Sequence, residues 1–413
     1  MHLASAPPVA LYIHVPFCVS LCPYCDFVVY AGAAARGPRS RVASFVQAVE
    51  VELRLRADAL DERFGEPGPN RPRLGSVYLG GGTPSLLAAE SLERILGTVR
   101  DRYGLTDDAE ITIEANPGPD ERGDAGALKR AGVTRYSVGA QALDVRLLRT
   151  LGRRHRPHDV ADAVASAREA GMPSVSLDLL YDVPGQSLTD WMTTLEDALA
   201  LEPDHLSLYA LTLDDPEREG LVGPTHDRLP TTPGARRWRE QARARQDEDR
   251  GAAEYHHAVH ALAERGYRGY EISNWASPGH ESRHNLAYWR RLPYEGVGPG
   301  AHAFDGCIRR WNAARLDRYV TDLVPADGGA TRLPPGGEET LDAETSAAEA
   351  VILGLRLDEG VPLEAAFRPP LVDPFGWALA AELLEVVDTE AGERIRLTTR
   401  GRLLSNELFQ RLL

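Results

Sequence analysis

Short apolar runs alternate with amphipathic stretches through the first half of the chain. Leu11–Val15, Ser76–Leu79, Glu110–Glu114, Arg135–Val138, Ser174–Leu179 and His205–Tyr209 have the length and punctuation of buried strands. Between them Val42–Ala57, Glu90–Tyr103, Asp124–Ala131, His158–Ala170 and Leu188–Leu201 place apolar residues at helical spacing. Phe64–Gly75, rich in Gly and Pro, reads as a loop. Strand–helix alternation of this kind predicts βαβ units and a parallel sheet. Six such units in about 200 residues fit a full or partial barrel.

Beyond Leu213 the alternation stops. Residues 214–234 are rich in proline and charge, and Arg236–Arg250 is a helical run with many arginines, read most simply as a solvated face. Asp247–Arg265 predicts a helix stopped by Gly266, and Tyr270–Asn274 a strand. Pro325–Glu339 has the composition of a linker. The remainder has helical segments around a strand-like Ile395–Leu397, a small α/β appendage with a winged-helix-like pattern. The expected organisation is a barrel over residues 1–213, its completion and an insert over 214–324, a linker over 325–340, and a C-terminal domain over 341–413.

Composition narrows the function. The 413-residue chain carries 61 acidic against 46 basic residues, a net charge of −15. That disfavours nucleic acid as main partner, because phosphate binding needs a basic surface. No run of about 18 apolar residues is present to predict a membrane span. The opening MHLASAPPVALYIHVPF lacks a basic start and runs into the first strand, so it reads as part of the fold rather than a signal peptide. A cytoplasmic location is expected; oligomeric state is not legible. There are four cysteines, and three fall within eight residues, which is not a disulfide framework.

Those three, Cys18, Cys22 and Cys25, have the spacing C-x3-C-x2-C on the loop after the first strand. Three thiolates are one short of the four that saturate a cubane cluster, so a 4Fe–4S cluster held here keeps one iron open for another ligand. A structural zinc would want a fourth ligand, for which His14 is available, but its usual signature is paired knuckles. Cys307 stands alone and reads as a free thiol. Functional-looking residues recur at strand C-terminal ends, where α/β folds bind ligands: Gly80-Gly81-Gly82-Thr83-Pro84, Glu114, Gln141 and Asp178. Singly, each has a plain alternative, the glycines as a tight turn and the acids as helix caps or surface charge.

The cysteine spacing after a first strand resembles the radical S-adenosylmethionine (SAM) superfamily. The segments SVGAQALDVRLLRTLGRRH and VSLDLLYDVPGQSLTDW are similar to its coproporphyrinogen-oxidase-like branch. The resemblance implies a (β/α)6 partial TIM barrel and a cluster whose open iron takes the amino and carboxylate groups of SAM, from which an electron generates a 5′-deoxyadenosyl radical. It implies SAM contacts from Gly81, Gly82, Thr83, Glu114, Gln141, Arg153 and Asp178, from Tyr12 and Tyr24, and from the backbone at Thr212 and Val297. Carboxylates suit the ammonium and ribose hydroxyls of SAM, and a guanidinium suits its carboxylate.

The branch divides into an oxygen-independent oxidase of coproporphyrinogen III, which decarboxylates propionates, and a haem-chaperone family. The oxidase has a further cysteine where this chain has Phe27, and a longer segment before the cluster than the 17 residues here. Arg283-His284-Asn285-Leu286-Ala287-Tyr288-Trp289 matches the H-N-x-x-Y-W signature of the haem-binding relatives. By that resemblance His284 is the first candidate for a haem-iron ligand, with His302 and Cys307 near in sequence. Haem is the expected cargo and apo-haemoproteins the expected acceptors, with the oxidase as the competing enzyme reading. The arginine-rich insert departs from the family's shorter connection.

Overall fold

The computed structural model describes residues 4–213, 226–325, 328–367, 371–390 and 392–412; the expected proline-rich stretch therefore lies largely outside the described residues. Six parallel strands form the frame: β1 (Ala10–Val15), β2 (Leu74–Gly81), β3 (Leu105–Ala115), β4 (Arg135–Gln141), β5 (Ser174–Tyr181) and β6 (His205–Ala210). The helices that return the chain between them are α1 (Val42–Phe64), α2 (Ala89–Tyr103), α3 (Ala125–Ala131), α4 (Val145–Thr150) with α5 (Pro157–Glu169), and α6 (Leu188–Leu199). This is the (β/α)6 partial barrel. α1 and β3 run longer than their periodicity predicts, and α4, with 6 residues, is too short to carry a period.

The frame is extended at both edges. After β6 come α7 (Pro233–Arg243), α8 (Glu248–Glu264), β7 (Arg268–Gly269), β8 (Asn274–Ala276) and α9 (Arg283–Trp289). β8 pairs antiparallel with β6, so the predicted Tyr270–Asn274 strand is instead a turn between two short strands. β9 (Tyr294–Val297) then joins the other edge, parallel to β1. It is followed outward by antiparallel β10 (His302–Phe304), β11 (Ile308–Asn312) and, after α10 (Leu316–Leu323), β12 (Gly336–Thr340). The expected linker thus ends in an edge strand, because its glycines allow close pairing: a Cβ at Gly336 would fall on the Trp311 carbonyl. The C-terminal domain opens with α11 (Ala343–Arg356) and holds a three-stranded sheet of β13 (Val361–Pro362), β14 (Leu384–Thr389) and β15 (Gly392–Leu397) with its own core. It docks on the barrel through buried Glu271, whose carboxylate meets Arg356 at 3.4 Å.

Side-chain alternation decides what each face of the frame does. Leu11, Ile13, Val77, Leu79, Ile113, Val138, Leu177 and Leu206 point to one face and pack under the helices, with Phe45, Leu53, Ile95 and Val99, in the main core. The intervening residues point inward and are polar. Register aligns them in rows, Tyr12, Tyr78, Thr112, Arg135 and Ser174 in one and Glu114, Ser137, Ser176 and His205 in the next. Barrels of this kind are ordinarily packed with branched aliphatics. A hydroxyl- and carboxyl-lined interior instead leaves room for ligands and water.

Candidate cluster and cofactor site

The cysteine loop leaves β1 at Val15 and is tied back to the frame by backbone bonds. Gly82 N–H donates to the Val15 carbonyl at 2.9 Å and Thr83 N–H to the Phe17 carbonyl at 2.7 Å. A Cβ at Gly82 would lie 2.6 Å from the Phe17 oxygen, so only glycine permits this approach. Within the loop, the Cys25 N–H donates to the Cys22 carbonyl at 3.1 Å.

The loop covers a cavity of about 370 Å³ at the C-terminal ends of the strands. Cys18, Cys22, Cys25 and Tyr24 line it from the loop, and Gly81, Gly82, Glu114, Gln141, Arg153 and Asp178 from the barrel. Ten residues singled out from five separate stretches of sequence therefore meet around one space. Thr83 stands directly behind, its hydroxyl 3.5 Å from the Cys18 sulfur. Tyr12 lies outside this cavity, its hydroxyl 3.0 Å from His14 Nδ1. Thr212 is exposed and Val297 is buried in the main core, and neither lines the cavity.

Each polar wall has a physical support. Glu114 accepts from the Tyr78 hydroxyl at 2.8 Å and from Gly81 N–H at 2.9 Å. Burial nevertheless pushes its carboxyl up to about 7, and the neighbouring Asp178 charge adds to the rise. Burial also raises Asp178 to about 6, against hydrogen bonds from Ser207 and Ser137. Two acids above their usual range, facing one cavity, suit a cationic ligand that restores their charge. Gln141 has φ 63°, a left-handed backbone for a non-glycine, at a bulge that ends the β4–β5 pairing. That conformation re-aims its amide into the cavity.

Arg153 reaches across the cavity wall. Its guanidinium donates to Asn116 Oδ1 at 2.5 Å and to the Gly139 carbonyl at 2.7 Å, and lies 3.7 Å from the Cys22 sulfur. Asn116 in turn donates to Thr83 Oγ1 at 3.0 Å. One chain of bonds so joins the strand-end glycines, the arginine and the cysteine loop. Asn116 is a site residue that the sequence pattern does not single out; its one signal is an amide two positions beyond Glu114 at the same strand end.

The thiols fit an iron–sulfur cluster better than a single ion. Burial pushes Cys18 up to about 11 and Cys25 up to about 12, so each keeps its proton until a positive centre displaces it. Among the described residues no three His, Cys, Asp or Glu side chains are grouped to hold one metal ion. A single zinc needs its ligands on one tetrahedron, whereas each thiolate of a cubane meets a different iron. His14 is not free to be a fourth ligand: its nitrogens face Tyr12 and the Val28 carbonyl, the latter at 2.8 Å.

The arginine-rich helix corrects the expectation of a solvated face. Arg239 on α7 is only 3% exposed. It donates to the carbonyls of Pro23, Tyr24 and Cys25 at 3.2 Å each and pairs with Asp26. Trp238 beside it donates to the Thr150 carbonyl and tilts against Tyr24. Helix α7 therefore clamps the cysteine loop from outside. Periodicity cannot reveal this, because the partners are backbone carbonyls far away in sequence.

The motif on α9 closes the lower barrel. Ser282 caps the helix, and Glu110 of β3 accepts from the N–H groups of Arg283 and His284 at 3.1 Å. His284 is 2% exposed, with Nδ1 3.0 Å from the Ser76 hydroxyl and Nε2 3.0 Å from that of Tyr288. Burial lowers its pKa to about 3, so the ring is neutral. Both ring nitrogens are engaged inside the barrel; Tyr288 and Trp289 instead line a second, outer groove. Phe27 is 65% exposed and borders that groove, the cofactor cavity and the inner chamber between them.

A partial barrel with a three-cysteine loop over a polar, strand-end cavity defines a radical SAM protein. The radical SAM superfamily pattern matches residues 12–198, and the C-terminal domain of HemN matches residues 341–404. The chain belongs to the HemW family. It is 38% identical to the heme chaperone HemW of Mycobacterium tuberculosis, over 100% of this chain and 97% of the relative. Against the Escherichia coli heme chaperone HemW it is 36% identical over 76% of each chain. Against the mitochondrial radical S-adenosyl methionine domain-containing protein 1 of Danio rerio it is 33% identical, covering 87% of this chain and 75% of the relative. The solved Escherichia coli coproporphyrinogen III oxidase HemN shares the fold, with TM-score 0.76 at 21% identity over 100% of this chain and 91% of that one. Among the described residues no helix is long and apolar enough to cross a membrane.

Proposed function

We propose that the protein binds a 4Fe–4S cluster through Cys18, Cys22 and Cys25, takes SAM in the adjoining cavity, and carries haem to apo-haemoproteins in the cytoplasm. Glu114 and the Gly81–Gly82 backbone would receive the ammonium of SAM, Arg153 its carboxylate and Asp178 its ribose; Gln141, Thr83 and Tyr24 complete the wall. When bound, the cluster and SAM supply one-electron chemistry at the sulfonium. The chain's own residues hold the loop, neutralise the ligand's charges and exclude water. The tyrosine at position 12 and the backbones of Thr212 and Val297 stand further off; contacts from them would need the ligand to extend beyond the cavity.

The observation that carries the haem reading is Phe27. A fourth thiol there would face the cofactor cavity; an exposed phenyl ring instead joins that cavity to an aromatic groove outside it. Full-length likeness to proteins named heme chaperones supports the same reading. The test is anaerobic reconstitution followed by iron and labile-sulfide analysis and a haem titration. A stoichiometric Soret change supports it. Conversion of coproporphyrinogen III to protoporphyrinogen by the reduced protein with SAM would replace it with the oxidase reading.

A further inference from the structure

We propose that the outer groove between the cysteine loop and α11 is the haem cradle and that His302 supplies its iron ligand. The proposal rests on the haem-carrier reading above. The groove encloses about 520 Å³, within the range of about 300–1,000 Å³ usual for small-molecule sites. It is the space that the cysteine loop, the strand-end aromatics and the C-terminal domain all face.

His302 is poised as a ligand in a way that His284 is not. Its Nε2 lies 3.2 Å from Oδ2 of Asp227, and that carboxylate is buried. A carboxylate only accepts, so Nε2 is the nitrogen that carries the proton, and Nδ1 is the one whose lone pair can meet a metal. A histidine held through one nitrogen by a carboxylate is the usual arrangement of a metal-binding imidazole. The ring stacks on Trp311 with centroids 6.1 Å apart, which fixes its plane, and the side chain is 34% exposed to the groove. His284, by contrast, would have to leave two hydroxyls and the barrel interior to meet a porphyrin.

The rest of the groove matches a porphyrin dianion. Arg291 and Arg309 both reach Glu349 on α11, and Arg309 also meets Glu339 at 3.2 Å. The Nε of Arg291 is buried with no hydrogen-bond partner among the described residues. Guanidinium forks in this state are receptors for carboxylates such as propionates. Asp26 is the remaining acid on the wall, and it is paired with Arg239. Tyr294 and Phe27 offer ring surface for the macrocycle, while Phe304 lies buried under the Arg291 guanidinium. His14 also borders the groove, but its ring nitrogens face Tyr12 and the Val28 carbonyl, so His302 is the imidazole left to meet cargo that must be handed on.

The experiment titrates haemin, and separately its propionate dimethyl ester, into the reconstituted full-length protein, following the Soret band and the EPR of the ferric iron. Wild type is expected to bind haemin at one equivalent and the ester at least tenfold more weakly. His302→Ala should lose the imidazole-ligated spectrum, with affinity down tenfold or more and cluster content unchanged. His302→Gly should regain that spectrum with added imidazole. Asp227→Asn should weaken binding several-fold, and Arg291→Gln with Arg309→Gln should abolish the preference for haemin over its ester. Should His302→Ala or Gly not fold, the last two variants decide. If His302→Ala, or both of those variants, keep the wild-type spectrum and affinity, the cradle is elsewhere and haem carriage stands. If wild type itself binds no haemin, the carrier reading falls, and this proposal with it.

Discussion

Glu114 offers a prediction in which stability and ligand affinity move in opposite directions. The perturbation is Glu114→Gln in the cluster-free protein. The carboxyl titrates near 7 in the fold against 4.5 ordinarily, because it is buried beside Asp178. The folded protein thus holds a proton between these values that the unfolded chain has lost. The contribution to stability is fully present below about 4.5 and disappears as pH rises through about 7. At about 1.4 kcal/mol per pH unit the full loss is about 3 kcal/mol, and water in the cavity reduces it to about 2 kcal/mol. Glutamine keeps both local bonds by turning its oxygen to the Gly81 N–H and its amide to the Tyr78 oxygen. Urea unfolding at pH 5 and pH 8 should then show the wild type losing about 2 kcal/mol more than the variant. At pH 8 the variant should be the more stable of the two. Calorimetry with reconstituted protein should show SAM bound at least tenfold more weakly by the variant, since no carboxylate meets its ammonium. Parallel pH profiles for the two proteins would refute the reasoning, because the buried acid would then carry no strain.

Three further outcomes follow from the same geometry. Arg239→Ala removes the clamp on three loop carbonyls and should lower iron and sulfide retained after gel filtration by more than half, while the far-UV circular dichroism is unchanged. His284 is buried neutral, with a pKa of about 3 against 6.5 ordinarily. Its depressed value means stability is full above 6.5 and falls as pH drops towards 3, by about 1.4 kcal/mol per pH unit. His284→Gln should flatten the acid limb of urea unfolding between pH 6 and 4 by one proton; an unchanged slope would contradict its burial as a neutral ring. Phe27→Ala removes an exposed ring, so thermal stability should move by less than about 0.5 kcal/mol while haem affinity in the Soret titration drops; equal affinity would remove Phe27 from the carrier argument.

The sequence by itself determined the frame and the chemistry of the cofactor site. Alternation in β1 to β6 is a local property: every second residue must face the helices, so Leu11, Ile13, Val77 and Leu79 declare the core without knowledge of their partners. Cys18, Cys22 and Cys25 lie on one short loop, and loop spacing alone limits what they can hold. Glu114, Gln141 and Asp178 sit at strand ends, and parallel strands bring their ends to one edge. Tertiary structure decided everything that depends on distant segments meeting. It turned the arginine-rich run into a clamp, because Arg239 bonds carbonyls some 215 positions away. It gave the expected linker a strand, through pairing with β11. It sent His284 inward to Ser76 and left His302 beside Asp227 at the surface. His284 and His302 are equivalent as letters. Burial and the hydrogen-bond partners that the fold supplies are what separate a structural ring from one free to bind iron.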